Sequence, residues 1–173
     1  MDGSKQLRLI TFVVGEESFV LDIMSVRQIV MYSGSTPVPK APSFIEGIIV
    51  LRNDVIPIID LRRRLFPDRP PGDQTPLVLI LRSPVGLIGL KVDGVRRIIT
   101  VDADSILPPP PLIRDLQGEL FIGVVPREGE VFLLLDLETL LTAEEKVSLR
   151  ETEFKIEEER GEKRPETGEQ TGS

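Results

Sequence analysis

Few side chains in this 173-residue sequence could do chemistry, because it contains no histidine and no cysteine. That composition excludes zinc sites built from Cys or His, disulfides, and nucleophiles activated by histidine. Carboxylates are the best remaining candidates, and Asp60 and Asp136 stand at equivalent positions of an internal repeat. Two carboxylates in such a relation could form an acid–base dyad.

The neighbours of these aspartates favour a different role. An aspartic-protease dyad needs a small hydroxyl residue and a Gly after each Asp, but Leu-Arg follows Asp60 and Leu-Glu follows Asp136. Each Asp instead precedes a short helical pattern, which predicts an N-cap. A carboxylate-dependent enzyme using both residues stays open as an alternative, and carboxyls more than about 10 Å apart would exclude it.

Three other motifs that could indicate a binding site have simpler structural interpretations. Asp102-Ala-Asp104 lacks the third carboxylate, the Gly and the final Glu of a calcium loop, so it predicts a turn. The arginines at 62–64 have no interleaved aromatics and the net charge is −7, which argues against nucleic acid as a partner. The prolines at 108–111 predict a stiff crossover rather than a polyproline ligand. The sequence therefore predicts no catalytic residue, no metal site and no cofactor-binding site, and hence no enzyme.

The elements that position these residues are β-strands. Val, Ile and Leu occur in short runs bounded by Gly, Pro, Asp and Asn, with hairpin-like turns between them. Pro57 lies inside one run and predicts an edge strand or a bulge there. The predicted strands are LRLITFVV, SFVLDI, VRQIVMY, GIIVLR, VIPIID, LVLILR, GLIGLKV, VRRIITV, LFIGVVP and EVFLLLD.

The sequence contains an internal duplication. Residues 45–65, IEGIIVLRNDVIPIIDLRRRL, align without a gap to residues 121–141, FIGVVPREGEVFLLLDLETLL, so Gly47 falls on Gly123 at an offset of 76 residues. LDIMSVRQIV at 21–30 aligns with LKVDGVRRII at 90–99 at an offset of 69 residues, which places an insertion in or near DADSILPPPPLIRDLQGE. We therefore predict one domain over residues 1–149, made of two similar β units at about 7–75 and 76–149.

The C-terminal stretch differs in composition from this body. Residues 150–173 are rich in Glu and poor in apolar residues, which predicts an acidic tail that is disordered or a frayed helix. Thr142 stands three residues before Glu145, a capping-box pattern that predicts a helix from residue 143. No apolar run approaches the roughly 20 residues that span a bilayer, and the N-terminus lacks a signal-peptide core, so a cytoplasmic protein is expected.

Several segments resemble one family when they are taken in order over about 7–143. LDIMSVRQIV, PVPKAPSFIEGIIVLRNDVIPIIDLRRRL, GLKVDGVRRII, PPPPLI and FIGVVPREGEVFLLLDLETLL are similar to the CheW-like domain of bacterial and archaeal chemotaxis. The most specific part is Gly-x-x-x-Leu-Arg-x-x-x-x-Pro-x-x-Asp-Leu-Arg at 47–62. The resemblance implies an all-β fold with short helices, in which two similar five-stranded SH3-like β-barrel subdomains share a core and can exchange strands.

The resemblance also implies a function without catalysis. The expected role is a scaffold that couples the cytoplasmic tip of methyl-accepting chemoreceptors to the regulatory domain of a CheA-type histidine kinase. Such a protein would be cytoplasmic and recruited to membrane receptor arrays, with neither nucleic-acid binding nor direct membrane insertion. A divergent CheW-like scaffold of another two-component signalling system, or a piece of a larger hybrid adaptor, stays open.

Site residues carried over from the family lie on one strand and one hairpin. Gln28 stands where family members usually have Glu, and Asn53 stands where they have Gly, although Asn tolerates the positive φ of such a turn. The second copy has Glu-Gly-Glu where the first has Arg52-Asn53-Asp54, so the partner-reading role is predicted on Arg52 and its neighbours. The resemblance assigns receptor or groove contacts to Val26, Gln28, Ile29, Gly47, Ile48 and Arg52, kinase contacts to Asn53 and Asp54, and less specific roles to Val50, Gly123 and Val124.

Overall fold

The ten strands form where the hydrophobic pattern predicts them. A computed structural model describes residues 5–72, 74–112 and 121–140 of the chain. Every predicted strand is confirmed in this described part, with bounds that differ by at most two residues. The strands are β1 Gln6–Val14, β2 Glu17–Asp22, β3 Val26–Met31, β4 Ile45–Leu51, β5 Asp54–Asp60, β6 Leu77–Ser83, β7 Gly86–Val92, β8 Gly94–Asp102, β9 Phe121–Arg127 and β10 Glu130–Leu135. Short helices α1 Leu61–Leu65 and α2 Leu137–Leu140 follow β5 and β10, and single 3-10 turns occupy Ile23–Ser25 and Ala103–Ser105.

The strands form two five-stranded sheets, which confirms the predicted fold class. The first sheet has the order β8-β1-β2-β10-β9 and the second has the order β3-β6-β7-β5-β4. Within both, neighbours are antiparallel except for the parallel pairs β2–β10 and β5–β7. Each sheet takes strands from both halves of the sequence. Exchanging every strand for its repeat counterpart, β1 for β6 through β5 for β10, turns one sheet order into the other, so the duplication relates the two sheets.

The core follows the same duplication. The largest buried cluster takes residues from both sheets and includes stacked rings, with centroids 5.6 Å apart for Phe12 and Phe19 and 6.0 Å apart for Phe19 and Phe121. Each sheet also encloses a smaller cluster of its own. Phe132 and Leu134 in the first sheet correspond, at the offset of 76, to Ile56 and Ile58 in the second. Burial of each of these side chains stabilises the fold by about 1.5–3 kcal/mol. This burial determines which residues of a strand face the interior.

Glycine at the repeat positions 47 and 123 permits a close approach of chain segments. A Cβ on Gly47 would lie 2.6 Å from the Thr36 carbonyl oxygen, and one on Gly123 would overlap the Ile106 side chain. The approaching segments form one backbone bridge in each copy, between Thr36 and Ile48 and between Leu107 and Val124. A side chain at either glycine would push the bridged segment away, which is a physical reason for Gly at both positions.

Both predicted helix N-caps are confirmed. The buried Asp60 carboxylate accepts backbone N–H groups of Arg62 at 3.0 Å and Arg63 at 3.3 Å, and Asp136 accepts that of Glu138 at 3.1 Å. Of the two alternatives predicted for Pro57, the edge strand is wrong, because β5 lies between β7 and β4. Pro57 is tolerated there since β5 pairs with β7 only from Ile58 onwards. An irregularity does occur nearby, where the β4–β5 register shifts between Ile45 and Gly47.

Two predictions fall outside the part of the chain that is described. They are the helix from residue 143 and the acidic tail at 150–173. Among the described helices, neither is long and apolar enough to cross a membrane.

Candidate protein-interaction site

The predicted contact residues centre on the turn between β4 and β5, residues 52–54, called the first tip. Arg52 is exposed and adopts a left-handed backbone with φ 59°, while Asn53 is exposed with a negative φ. The expectation that the positive φ would fall on Asn53 is therefore wrong. A left-handed conformation costs a residue with a Cβ about 1–2 kcal/mol. The first tip thus places this strain on the arginine that the sequence singles out.

The equivalent turn of the second copy, residues 128–130 and called the second tip, has both of its carboxylates near one arginine of the chain. Arg97 on β8 has its Nη2 atom 3.9 Å from Glu128 Oε2 and 3.6 Å from Glu130 Oε2. Glu128 and Gly129 both have positive φ, 51° and 80°, so the two turns also differ in backbone geometry. The two carboxylates of the second tip are therefore paired with an arginine of the same chain.

Charge is distributed differently at the first tip. Arg27 on β3 has its Nη1 atom 3.3 Å from Asp54 Oδ2, an exposed ion pair that joins the strand to the hairpin. Gln28 occupies the position that Arg97 has in the second copy, and it is uncharged. Arg52 forms no ion pair with any residue that the structure describes. The first tip therefore presents a cation that is available to another molecule.

The predicted contact residues of strand β3 lie in two different environments. Val26 is half-buried and packs against the largest core cluster, and Gln28 is also half-buried. Ile29 and Met31 are 41% and 68% exposed. Val50 on β4 is 63% exposed as well. Ile29, Met31 and Val50 therefore leave apolar side chains exposed on β3 and β4.

A groove of about 550 Å³, called the tip groove, lies between the end of β3 and strand β4. Of the predicted residues only Ile48 and Val50 line it, whereas Val26, Gln28 and Ile29 do not, and the first tip follows its β4 wall. The buried Gly47 acts at this place through the backbone approach of Thr36. The groove is lined by residues 30–36, residues 48–51 and Val78.

A polar network that was not predicted from the sequence lies beside the tip groove. Tyr32 donates its hydroxyl to Glu46 Oε1 at 3.2 Å and lies 2.9 Å from Ser35 Oγ. Lys91 donates to the same carboxylate oxygen at 3.2 Å, and its ammonium lies 4.3 Å from the centre of the Tyr32 ring. Arg63 Nη2 is 3.1 Å from Glu46 Oε2, without hydrogen-bond geometry. The network holds Tyr32 and Ser35 in the groove wall, and the one signal for it in the sequence is that Tyr32 is the chain's sole tyrosine.

Glu46 is held in its ionised form by this network. Burial by itself raises the pKa of Glu46, but the hydrogen bond and charge of Lys91, the charge of Arg63 and the Tyr32 hydroxyl outweigh it. The pKa of Glu46 therefore lies below its ordinary value. At neutral pH the groove wall is fixed by a charged carboxylate between two cations.

The arrangement is suited to contacts rather than to metal binding. Within the described ranges there is no group of three or more His, Cys, Asp or Glu side chains that could hold a metal ion. The two aspartates considered for acid–base chemistry both cap helices. The site offers a groove lined by both polar and apolar residues, exposed apolar strand residues and an arginine at a left-handed turn.

Comparisons with known proteins agree with this description. A family model for the CheW-like domain matches residues 8–145. "Chemotaxis protein CheW" of Rhizobium meliloti is 33% identical over 138 residues, covering 80% of this chain and 89% of the relative. "Probable chemotaxis protein CheW" of Rhizobium etli is 36% identical over 139 residues, covering 79% and 88%. The crystal structure of scaffolding protein TtCheW from Thermoanaerobacter tengcongensis has a TM-score of 0.73 at 30% identity, covering 82% of this chain and 91% of that one. With the family model matching most of its length, this chain belongs to the CheW-like domain family.

Proposed function

We propose that this protein is an adaptor that couples chemoreceptors to a CheA-type histidine kinase. Relatives named as chemotaxis proteins and a solved scaffolding protein of the same fold support a scaffold or adaptor role in chemotaxis. The finer proposal concerns partners: the cytoplasmic tip of a methyl-accepting chemoreceptor and the regulatory domain of the kinase. The protein would act in the cytoplasm, at membrane receptor arrays, without catalysis.

The observation that carries the proposal is the difference between the two tips. The scaffold is duplicated, but Glu128 and Glu130 both pair with Arg97, whereas Arg52 has no ion-pair partner in the described chain. Glu128 has a similar left-handed φ, so the backbone conformation belongs to the duplicated turn and the difference between the tips lies in their charge pairing. Recognition of a partner by Arg52 would account for an exposed arginine that has no ion pair among the described residues.

The assigned residues contribute in two ways under this proposal. Ile29, Arg52 and Asn53 are exposed and would contact partners directly. Val26 and Gly47 would act through the fold, Val26 by packing on the core and Gly47 by admitting Thr36. Gln28 and Ile48 would also belong to the receptor contact. Asp54 would join Asn53 in the kinase contact.

The test is receptor-dependent autophosphorylation of the kinase in a reconstituted complex. We expect Arg52→Ala to lower the receptor-dependent part of the activity and Arg52→Asp to abolish it, because charge reversal repels the group that the arginine binds. Glu128→Ala, at the equivalent position of the second tip, is the matched control and should retain coupling. Full coupling by both Arg52 variants, with unchanged unfolding curves, would show that Arg52 does not contribute to the interaction.

A scaffold for another two-component system is the second candidate. The uncharged Gln28 and the turn at Asn53 differ from the usual family residues and change the charge presented to a partner. A pull-down from the native cell separates the two candidates. Recovery of a CheA-like kinase together with a chemoreceptor supports the first, and recovery of a different sensor kinase supports the second.

A further inference from the structure

The tip groove lies between the two open edges of the second sheet. β3 and β4 are the outermost strands in the order β3-β6-β7-β5-β4, so each has a neighbouring strand on one side only. The backbone bridge between Thr36 and Ile48 joins the two sides of the groove, and near the first tip the ion pair of Arg27 with Asp54 joins β3 to the hairpin. The open part of the groove is therefore bordered by strand edges, which can bond to another chain.

On β4 the backbone of Val50 faces this groove. Ile48 exchanges two hydrogen bonds of 2.9 Å with Thr36 on the groove side of the strand. Alternate residues of a strand point their backbone groups to the same side, so Val50 directs its N–H and C=O there too. The bridge is isolated, however, and Gly34, which would stand opposite Val50, has a φ of 109° that does not continue a strand. No strand of the described chain pairs with this side of Val50.

The second copy lacks the donor that Val50 supplies in the first. Val124 takes part in the equivalent bridge, and the residue two positions further along β9 is Pro126, which aligns with Val50 at the offset of 76. Proline has no N–H, so this edge has no donor at that place. Proline is one of the residues by which natural proteins protect an edge strand from pairing.

The facing edge strand shows the same difference between the copies. Tyr32 donates its N–H to the segment that leads into β6, so the backbone of the preceding Met31 faces the groove. Met31 aligns with Thr100 at the offset of 69, and in the second copy Arg127 donates to the Thr100 carbonyl oxygen at 2.8 Å. This bond spans the gap between the edge strands β8 and β9. Leu51 takes the place of Arg127 in the first copy and has no group to donate.

We propose that the tip groove binds an extended segment of a partner protein by strand addition. The segment accepts a hydrogen bond from the Val50 N–H and donates to the carbonyl groups of Val50 and Met31, the groups that Pro126 and Arg127 remove or satisfy in the second copy. An extended chain has free backbone donors and acceptors along its edges, whereas a helix has used its own. Strand addition is an established way for a sheet edge to recognise a peptide.

The side chains around the groove specify the chemistry of this segment. Met31 and Val50 leave apolar surface exposed beside the open edges, which suits apolar side chains at alternate positions of the segment. Arg52 follows the β4 wall and has no ion pair among the described residues, which suits an Asp or Glu near one end of the segment. The inference goes beyond the proposed adaptor role and does not depend on it, because backbone pairing recognises an extended conformation whatever protein supplies it.

The two copies provide reciprocal variants for a test. Val50→Pro with Leu51→Arg, called the closed variant, gives the first copy the two residues that protect the second. Pro126→Val with Arg127→Leu makes the opposite exchange and is the matched control, because it leaves the tip groove unchanged. Both exchanges use residues that the duplicated fold already accommodates at equivalent positions, and urea unfolding verifies that each variant remains folded.

The probe is a library of random seven-residue peptides selected on the natural protein. Selected peptides should combine alternating apolar residues with an Asp or Glu. They should bind the closed variant roughly tenfold or more weakly, because its edge has lost a donor, and bind the control as they bind the natural protein. Binding should also slow hydrogen exchange of the Val50 amide roughly tenfold in NMR measurements.

Four results would overturn the proposal. They are equal affinity for the closed variant and the natural protein, unchanged exchange at Val50, a helical conformation of the bound peptide, and failure of the library to yield a binder. Self-association is measured as well, by sedimentation of the natural protein and the closed variant. Dimers that form only in the natural protein would make a second copy the occupant and would also overturn the proposal. The coupling assay with the Arg52 variants tests the adaptor role separately, so the two can fail independently.

Discussion

Replacement of Gly47 by alanine separates two explanations for this residue. The family resemblance assigns Gly47 to a partner contact, whereas the structure gives it a role in the fold. Gly47 is buried, and its missing side chain admits the Thr36 carbonyl oxygen. The variant Gly47→Ala therefore probes whether the position acts through the Thr36–Ile48 bridge or through a partner.

The expected loss of stability can be estimated from that bridge. The new Cβ would lie 2.6 Å from Thr36 O, so the segment must move by about 0.9 Å to reach an ordinary contact of about 3.5 Å. Thr36 and Ile48 exchange two backbone hydrogen bonds of 2.9 Å each, and neither survives such a shift. At about 1 kcal/mol per bond the loss is about 2 kcal/mol. Alanine also restricts the unfolded chain, which offsets about 0.5 kcal/mol. Because the φ of +158° at Gly47 is strained for a residue with a Cβ, the net loss is at least about 1.5 kcal/mol.

Urea unfolding measures this change, with Gly72→Ala as the control. A Cβ at Gly72 has no neighbour closer than 4.0 Å, so that variant should stay within about 0.5 kcal/mol of the natural protein. The slope of the unfolding free energy against urea should be the same for all three proteins. Natural stability in Gly47→Ala, combined with lost receptor coupling, would refute the structural explanation and make Gly47 a contact residue.

The remaining predictions concern charge. Stability from the Glu46 network is complete above about pH 4.3, the pKa of an unfolded Glu, and is lost as the pH falls through the lower folded pKa. Glu46→Gln should therefore differ more from the natural protein at pH 7 than at pH 3 in urea unfolding, and a constant difference would contradict this. Lys91→Met should make the unfolding free energy depend less on pH in the acid range, because Lys91 is one of the groups that lower the pKa of Glu46. Gln28→Glu should pair with Arg52 and stabilise by at most about 1 kcal/mol, an effect that vanishes in 1 M salt or with Arg52→Ala. Asp60→Ala should cost about 1–2 kcal/mol in thermal or urea unfolding and Asp60→Asn less, because Asn still caps a helix.

Strand positions could be predicted from the sequence because each depends on local pattern. Runs of Val, Ile and Leu between turn residues locate strands whatever their partners are. The duplication was equally visible, because Gly47, Asp60 and the leucines around it recur at one offset. Helix N-caps belong to the same class, since Asp60 and Asp136 bond to backbone groups two or three residues away. In each of these features, cause and effect lie within a few residues.

Features that join distant residues could not be predicted. Glu46 meets Lys91 only because β4 and β7 flank β5 in one sheet, and that order depends on the exchange of strands between copies. The edge-strand alternative for Pro57 failed for the same reason, since β5 acquires its second neighbour from the other half of the sequence. The pairing of Arg27 with Asp54, and the lack of an ion pair for Arg52 among the described residues, also required the tertiary register.

Comparison of the two copies distinguishes residues that the fold requires from residues that a binding partner could select. Buried positions must stay similar in both copies, because each packs into an equivalent interior; Phe132 and Ile56 are both apolar, and Gly47 and Gly123 both admit a backbone segment. Exposed positions have no such constraint, and the two copies diverge there in charge, with Arg52 facing Glu128 in the alignment. If folding alone selected the tips, either charge would serve at either turn, because exposed ion pairs contribute only about 0–1 kcal/mol. An arginine without an ion pair among the described residues at one tip, and carboxylates paired with Arg97 at the other, therefore support the proposal that a partner binds the first tip, because the stability of the fold does not account for the difference.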